Sequence, residues 1–374
     1  MRSDFLNMTA KVSKILHLQK FMYAICKLLL PIQVRKDIDS PEQYLNTISL
    51  EKRNSCICNN HIEENPRYDL EIIIPVYNVE KYLEQCVQSI INQQTHYTYK
   101  AIFVNDGSTD GSRAILEKYA HYPCVTIIDT PNQGVSAARN LPLKNIDAKY
   151  VMYVDSDDYL SQDAVEKLMN KAEETNADIV EGNHVYFSKH KILYTSNHTD
   201  EDRSGMVIIH GVAWGKICKA EVWKHLCFPL DYRYEDIMCV FILRQMPVKK
   251  ASIHDIIYYY RDTPTGFTRA YNSDKRRIET YWLTKQILQD AQELKYVFDT
   301  SFYEIFLRHC RVNMSRVAIL GDRKADYALF EAQRALRNQY FHNLRAQGKK
   351  EKRIESAFLN DNFKEYLLYC LFLH

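Results

Sequence analysis

Three carboxylates crowd into four positions of YVMYVDSDDYL (150–160): Asp155, Asp157 and Asp158, directly behind a run of β-branched and aromatic residues. Like charges that close repel. A hard divalent cation makes such a cluster favourable, because Mg2+ and Mn2+ take carboxylate oxygens together with substrate phosphates. A cation held there would neutralise charge developing on a departing diphosphate. Two more polar clusters end apolar runs of the same kind. IIIPVYN (72–78) ends in Pro75, Val76, Tyr77 and Asn78, and FVNDGSTD (103–110) in Asn105, Asp106, Gly107 and Ser108. Tyr77 offers an aromatic face to a base. Asp106 could accept hydrogen bonds from a base edge, presented by the tight turn of Gly107 and Ser108. In PNQGVSAARN (131–140), small residues open a helix and permit close backbone approach to a ligand beside Asn132, Arg139 and Asn140. Each cluster also has a plain structural reading. NDGSTDG is an ordinary turn, and DSDD could supply a helix N-cap. The cap explains Asp158 or Asp163 but does not need Asp155 and Asp157 together.

The elements that must position these residues are strands and helices in alternation. LEIIIPVYN, YKAIFVND, CVTIID, YVMYVDSDD and ADIVEGN read as strands. Helical spacing fills 79–94, 112–122, the segment from Val135, and 163–175. Continuous apolar strands separated by helices predict an α/β fold, with a doubly wound, mainly parallel sheet and helices on both faces. In such sheets ligands bind at the carboxyl ends of the strands, near a switch in strand order. Every odd cluster falls at such an end, so the three converge on one crevice.

In this order and spacing, IIIPVYNVEKYLEQCVQSIINQQ, VNDGSTDGS, NQGVSAARN and YVMYVDSDDYL resemble family 2 glycosyltransferases of the GT-A fold, densely over residues 70 to 180. GVAWGKICKAEVW (211–223), FPLDYRYED (228–236) and YYYR (258–261) are similar to segments of bacterial surface-polysaccharide members. The resemblance implies an inverting transfer of a sugar from a UDP-sugar donor, with Mn2+ or Mg2+ as cofactor. By motif position, Pro75, Val76, Tyr77, Asp106, Ser108, Arg139, Asp155 and Ser156 would hold the nucleotide sugar. Asp157, with Asp155, would hold the metal. Asp236 would be the general base, and Glu235 would support it or touch the acceptor. Trp214 and Lys216 would line the acceptor or phosphate side; their plain reading is a packed indole and a surface lysine. Without the resemblance, Glu235-Asp236 reads as a solvated pair. The sequence departs from the family pattern at Asn105, where a second Asp is common, and in lacking glycines after Asn140 and before Tyr150.

Length and composition set the frame. The 374 residues divide into a helical extension and linker (1–67), a catalytic domain (68–271) and a helical C-terminal region (272–374). A net charge of +2 gives no global field that would draw nucleic acid. Ten scattered cysteines, most in apolar stretches, read as reduced thiols. Cys56, Cys58 and His61 do not have zinc spacing. No run reaches the roughly 18 apolar residues of a membrane span. ILHLQKFMYAICKLLLPI is broken by Lys20 and Lys27 and does not read as a signal peptide. Residues 8–30 read as one helix ending at Pro31, with Val12, Ile15, Met22, Ile25, Cys26 and Leu29 on an apolar arc and Ser13, Lys20 and Lys27 on another face. A basic amphipathic helix can lie on an anionic membrane or pack on its own domain. The expected location is the cytoplasm, with peripheral contact at the inner face of the membrane. The expected acceptor is a growing, lipid-linked capsule or other surface glycan. Two other readings remain open: a sugar nucleotidyltransferase, disfavoured because PVYNVEKYL lacks glycine, and a non-catalytic sugar-nucleotide binding or assembly protein.

Overall fold

The computed structural model describes residues 3–15, 17–29, 38–189, 191–197, 209–263 and 274–373. The chain divides into two compact units. One comprises residues 1–53, 232–234 and 267–374, and the other residues 54–231 and 235–266. These boundaries differ from a division at 67 and 271. The first unit begins with helices α1 (Ser3–Ile15), α2 (Gln19–Leu29) and α3 (Pro41–Ile48). The expected single helix over 8–30 is therefore two. His17 takes a left-handed φ of 55°, Leu18 N–H donates to Ser13 O at 2.7 Å, and His17 N–H donates to Lys14 O at 3.4 Å. That paired bonding closes a helix end and favours glycine, so a histidine hides it from sequence inspection. The segment 37–68 is not only a linker. Ser40 caps α3 by accepting from Gln43 N–H, with Pro41 in the first turn, a start signal present in S-P-E-Q.

The second unit is built on a sheet. Its strands are β1 (His61–Ile62), β2 (Tyr68–Val76), β3 (Tyr99–Asp106), β4 (Val125–Thr130), β5 (Asn145–Ile146), β6 (Ala148–Tyr153), β7 (Tyr159–Leu160), β8 (Ile179–Ser188), β9 (Lys191–Thr195), β10 (Lys216–Lys219) and β11 (Lys250–Arg261). Helices α4 (Glu80–Ile91), α5 (Ser112–Glu117), α6 (Val135–Leu143) and α7 (Ala164–Thr175) connect them. The order is β4-β3-β2-β6-β10-β8-β11-β7, with β9 beside β8, and β1 pairs separately with β5. The four strands β4, β3, β2 and β6 are parallel. The chain runs outward through β2, β3 and β4, then returns to place β6 on the other side of β2. That reversal is the switch point at which such sheets bind ligands. Beyond β6 the sheet is mixed, since β10 is antiparallel to both β6 and β8. The expectation of a mainly parallel sheet holds, since β8 and β11 also pair in parallel, with antiparallel partners added at β10, β7 and β9. Ile72, Ile74, Val76 and Phe103 bury one face against Leu83, Val87 and Ile90 of α4.

The first unit is completed by α8 (Glu279–Glu293), α9 (Thr300–Val317), α10 (Arg323–Phe341), α11 (Lys349–Leu359) and α12 (Phe363–Phe372). The N-terminal segment belongs here for identifiable reasons. Lys285 pairs with Glu42 at 2.7 Å and Glu51 at 3.1 Å. Tyr44 donates to Asp322 at 2.8 Å, and Trp282 Nε1 to Ser49 O at 2.7 Å. Among the described residues no helix is long and apolar enough to cross a membrane.

Gly182 in β8 leaves room for side chains of β11. A Cβ there would sit 2.4 Å from Ile257 Cγ1 and 3.3 Å from Ile253 Cγ1. Gly182→Ala is expected to destabilise the sheet unit by about 1–3 kcal/mol through overpacking, read as a lower urea midpoint at unchanged slope.

Candidate active site

The nucleoside end is assembled by loops clasping one another. Asn78, at a φ of 50°, accepts through Oδ1 from Thr109 N–H at 2.8 Å and Asp110 N–H at 3.3 Å. Its own N–H donates to Ser108 Oγ at 3.2 Å. The polar turn after β3 is therefore fastened to the turn after β2. Gly107 has a φ of 68°, and a Cβ on it would lie 2.8 Å from Asn132 N, so only glycine fits. Pro75 and Val76 are buried in β2, whereas Tyr77 is 51% exposed and presents its ring at the strand's carboxyl end. Asp106 is buried, and its two oxygens accept from Gln133 N–H and Gly134 N–H, both at 2.8 Å. It holds the loop that opens α6.

The aspartates at the end of β6 are not equivalent. Asp158 is fully buried and accepts from Tyr258 Oη–H at 2.8 Å and Arg261 N–H at 2.7 Å. It ties the β6 end to β11 and does not cap a helix. Burial, with the charges of Asp157 and Asp155, holds its carboxyl well above the usual range. Asp157 is partly open. Burial and then the Asp155 charge push its carboxyl up to about 6, while Thr263 Oγ1 lies 3.4 Å away. Ser156 between them is buried. Asp155 meets Arg139, whose side chain is 6% exposed: Nη2 donates to Asp155 Oδ1 at 2.7 Å and Nη1 to Glu235 Oε1 at 2.6 Å. The guanidinium also lies over the Phe228 ring at 5.1 Å. Phe228 is clamped by Asn140, which accepts its N–H and donates to its C=O, each at 2.7 Å. Burial opposes the Arg139 charge, but Asp155 and Glu235 outweigh it and the net shift is upward. Glu235 is held above its ordinary range by burial, with Arg139 pulling it down and Asp236 pushing it up. Asp236 is partly buried and adjoins Glu235.

Arg139, Asp155 and Glu235, from three separate stretches of sequence, are thus brought into one cluster, and Asp157 and Asp236 adjoin it in sequence. Trp214 and Lys216 are not members of that cluster, but Trp214 borders it through Tyr258, whose Oη accepts the Asp155 N–H at 3.1 Å. Trp214 is stacked on Tyr258 at 4.4 Å and Tyr260 at 5.2 Å. Lys216 is buried and is not a surface lysine. Its ammonium donates to Glu181 Oε1 and Val212 O, each at 2.7 Å, and to Trp214 O at 3.0 Å. All three of its hydrogens are engaged, leaving none for a phosphate. Sequence reasoning did not single out Arg261. Its Nε donates to Asp157 O at 2.8 Å, Nη2 donates to Gln85 Oε1 at 2.6 Å, and its plane lies over the Phe187, Tyr82 and Tyr159 rings. The signal for it was the cation ending the aromatic run YYYR.

Among the described residues no three His, Cys, Asp or Glu side chains form a metal cage. Mg2+ and Mn2+ do not need one, since they bind through one or two carboxylates plus substrate phosphates. Asp157, with its carboxyl raised by burial and a like charge, and Asp155 fit that requirement; Asp158 is already committed.

Residues 71–224 match the family model described as Glycosyl transferase family 2. The chain is 31% identical over 223 residues to Glycosyltransferase GlyA of Streptococcus pneumoniae, covering 54% of this chain and 32% of that protein. It is 31% identical over 201 residues to Poly(ribitol-phosphate) beta-glucosyltransferase of Bacillus spizizenii, covering 51% and 32%. It therefore spans about a third of the length of these two relatives. With Glycosyltransferase GlyG of S. pneumoniae it shares 26% identity over 272 residues, 67% of this chain and 85% of that one. The crystal structure of S. aureus TarS 1–349 in complex with UDP-GlcNAc superposes with a TM-score of 0.60 at 18% identity, covering 80% of this chain and 89% of that one. That likeness establishes the shared GT-A-like fold.

The raised carboxyl of Asp157 has a readable consequence. Its contribution to stability is fully present below the unfolded value near 4 and is lost as pH rises through about 6. Asp157→Asn removes the charge, so without metal it should unfold later than wild type at pH 8, by roughly 1–3 kcal/mol since one pKa unit is worth about 1.4 kcal/mol. The two should converge at pH 4. Calorimetric binding of Mn2+ should weaken about tenfold per unit below pH 6 in wild type, as protons compete for the same oxygens, and should vanish in Asp157→Asn.

Proposed function

We propose, from the membership of residues 71–224 in glycosyl transferase family 2, that the protein transfers a hexose or N-acetylhexosamine from a UDP-sugar to a growing surface glycan, with inversion at the anomeric carbon. The observation that carries this reading is the buried Arg139 joining Asp155, at the carboxyl end of β6, to Glu235, beside Asp236. It links a donor side to an acceptor side. Tyr77 covers the base, and Asp106 orders the loop at 132–134 that borders the nucleoside. Asp155 receives the ribose. A divalent cation held by Asp157 and Asp155 would supply charge neutralisation at the leaving diphosphate.

Asp236 takes the proton of the acceptor hydroxyl as its oxygen attacks the anomeric carbon. The sugar–diphosphate bond breaks on the opposite face, and UDP leaves with the electron pair. Glu235, tied to Arg139, positions Asp236 and keeps a second negative charge balanced next to it. Arg261, which donates to the carbonyl of Asp157, holds that residue's backbone against the end of β11. A relative named for glucosyl transfer to poly(ribitol phosphate) supports a hexosyl donor and a surface-polymer acceptor. A lipid-linked acceptor would place the reaction at the inner face of the cytoplasmic membrane.

The test is a panel of nucleotide sugars with Mn2+, scored by released nucleotide. One UDP-sugar is expected to give release above background when a glycan acceptor is present. Asp157→Ala and Asp236→Ala should each lower kcat at least about 100-fold, the scale of a lost general base. Release equal to that of the Asp157→Ala, Asp236→Ala double variant across the whole panel would sink the proposal and leave a binding protein. Release of pyrophosphate from UTP and a sugar phosphate in place of UDP would identify a nucleotidyltransferase.

A further inference from the structure

Of the ten cysteines only Cys58, Cys124 and Cys227 are partly open to water; the others are buried. Two of these three are brought together. The stretch 54–60 runs antiparallel beside 223–230, with Ile57 paired to Leu226. Cys58 N–H donates to His225 O at 3.1 Å, and Cys227 N–H donates to Cys56 O at 2.9 Å. Asn54 Nδ2 donates to Leu230 O at 3.0 Å. Asn60 Nδ2 donates to Trp223 O at 2.6 Å and to Leu226 O at 3.0 Å. Side chains alternate along paired strands, so Cys58 and Cys227 leave the pair on the face opposite Ile57 and Leu226. There the two thiols are hydrogen-bonded to each other. The bond from Cys227, assisted by Asn60, draws the Cys58 thiol below its ordinary range against the opposing effect of burial.

Adjacent thiols that water can reach, one of them prone to ionise, are the setting in which thiol–disulfide exchange proceeds. The other cysteines lack one part of it or another. Cys124 is partly open, but it contacts Tyr99 and burial holds its thiol up. Cys56 stands opposite Cys227 on the same strand pair, yet it is fully buried and closed to an attacking disulfide. Cys310 and Cys370 are near each other but fully buried, with thiols raised by burial. Among the described residues no three metal-ligating side chains gather around Cys58 and Cys227.

We propose that Cys58 and Cys227 form a reversible disulfide, made by exchange with a small-molecule disulfide such as oxidised glutathione, which fastens the 54–60 stretch to the segment carrying Phe228. Cys58 gives its proton to water, and its thiolate attacks one sulfur of the oxidant. The first glutathione leaves with the electron pair and takes up a proton. Cys227, deprotonated in turn, attacks the Cys58 sulfur of the mixed disulfide and expels the second glutathione, which is also protonated. Two protein thiols are oxidised and one disulfide is reduced to two thiols. The new bond lies next to Phe228, whose ring supports the Arg139 guanidinium at 5.1 Å and whose backbone Asn140 holds. It closes a loop containing β1 through β10, so it removes conformational freedom from the unfolded chain. Because the two stretches are already hydrogen-bonded, it locks an arrangement that the reduced protein already has.

The test uses the full chain, reduced and then incubated with oxidised glutathione, without nucleotide sugar. Free thiols are blocked with iodoacetamide and the digest is mapped by mass spectrometry. A peptide joining Cys58 to Cys227 should accumulate and disappear on treatment with dithiothreitol. The oxidised protein should melt at least roughly 4 °C above the reduced one, the effect of closing a long loop. Cys58→Ser and Cys227→Ser should melt like the reduced wild type and should not gain stability on oxidation. Cys227→Ser should stop at a single glutathione on Cys58. Asp157→Ala should oxidise like wild type, which separates this bond from the transfer reaction. Three outcomes overturn the proposal: no peptide joining Cys58 to Cys227, a bond from Cys227 to Cys56 in its place, or an oxidised wild type that melts no higher than the reduced one.

Discussion

The site depends on one buried cation. Arg139 is almost wholly withdrawn from water, yet its guanidinium is shared by two carboxylates at 2.6 and 2.7 Å. Moving a charge out of water costs several kcal/mol, recovered only when geometry is good and partners are complete. Arg139 meets most of that demand through its two Nη groups, drawing three stretches of sequence together: α6, the end of β6, and the segment that carries Phe228 and Glu235; its buried Nε has no hydrogen-bond partner among the described residues. Asn140, the next residue on α6, bonds both backbone groups of Phe228. The same turn of helix therefore fixes that segment by charge and by hydrogen bonds. Remove the guanidinium and Asp155 and Glu235 become uncompensated acids in a poorly solvated place.

The acidic residues of the crevice are one residue type made to do different things by their partners. Asp106 receives two backbone N–H groups and organises a loop. Asp158 receives a tyrosine hydroxyl and a backbone N–H and joins two strands. Asp155 is neutralised by Arg139. Burial and like charge press both Asp158 and Asp157 upward, Asp157 toward about 6; of the two, Asp157 is the partly open one that an added cation can reach. The crowding in DSDD is thus partly structural, and the electrostatic strain falls on Asp157 and Asp158.

Much of this was legible in the chain, for physical reasons. Parallel strands buried on both faces read as continuous apolar runs, so the carboxyl ends of β2, β3 and β6 and their polar clusters could be located. Direction could not. KICK in β10 looks like any short apolar strand, and its antiparallel insertion between β6 and β8 depends on pairing across the sheet. Neither reading of Lys216, a residue lining the acceptor or phosphate side or a surface lysine, includes its burial, because its partner Glu181 lies opposite it on β8, 35 positions upstream in the chain. The break between α1 and α2 rests on a histidine in a conformation that normally advertises itself as glycine. Ser40-Pro41 was an available start signal, overlooked in a polar stretch without strong periodicity.

The shared guanidinium also determines how the two sides of the site influence each other. Asp155 and Glu235 compete for one positive charge, and the region between them is dry enough that the competition is weakly screened. Any group that takes up negative charge at Asp155 leaves more of the Arg139 field for Glu235 and lowers its tendency to hold a proton. Glu235 in turn adjoins Asp236, whose charge is one of those raising it. A change of charge on Asp155 would therefore be felt at Glu235 through Arg139 without any movement of the backbone. The carrier is a single side chain whose position is over-determined by Phe228, Asn140 and two carboxylates.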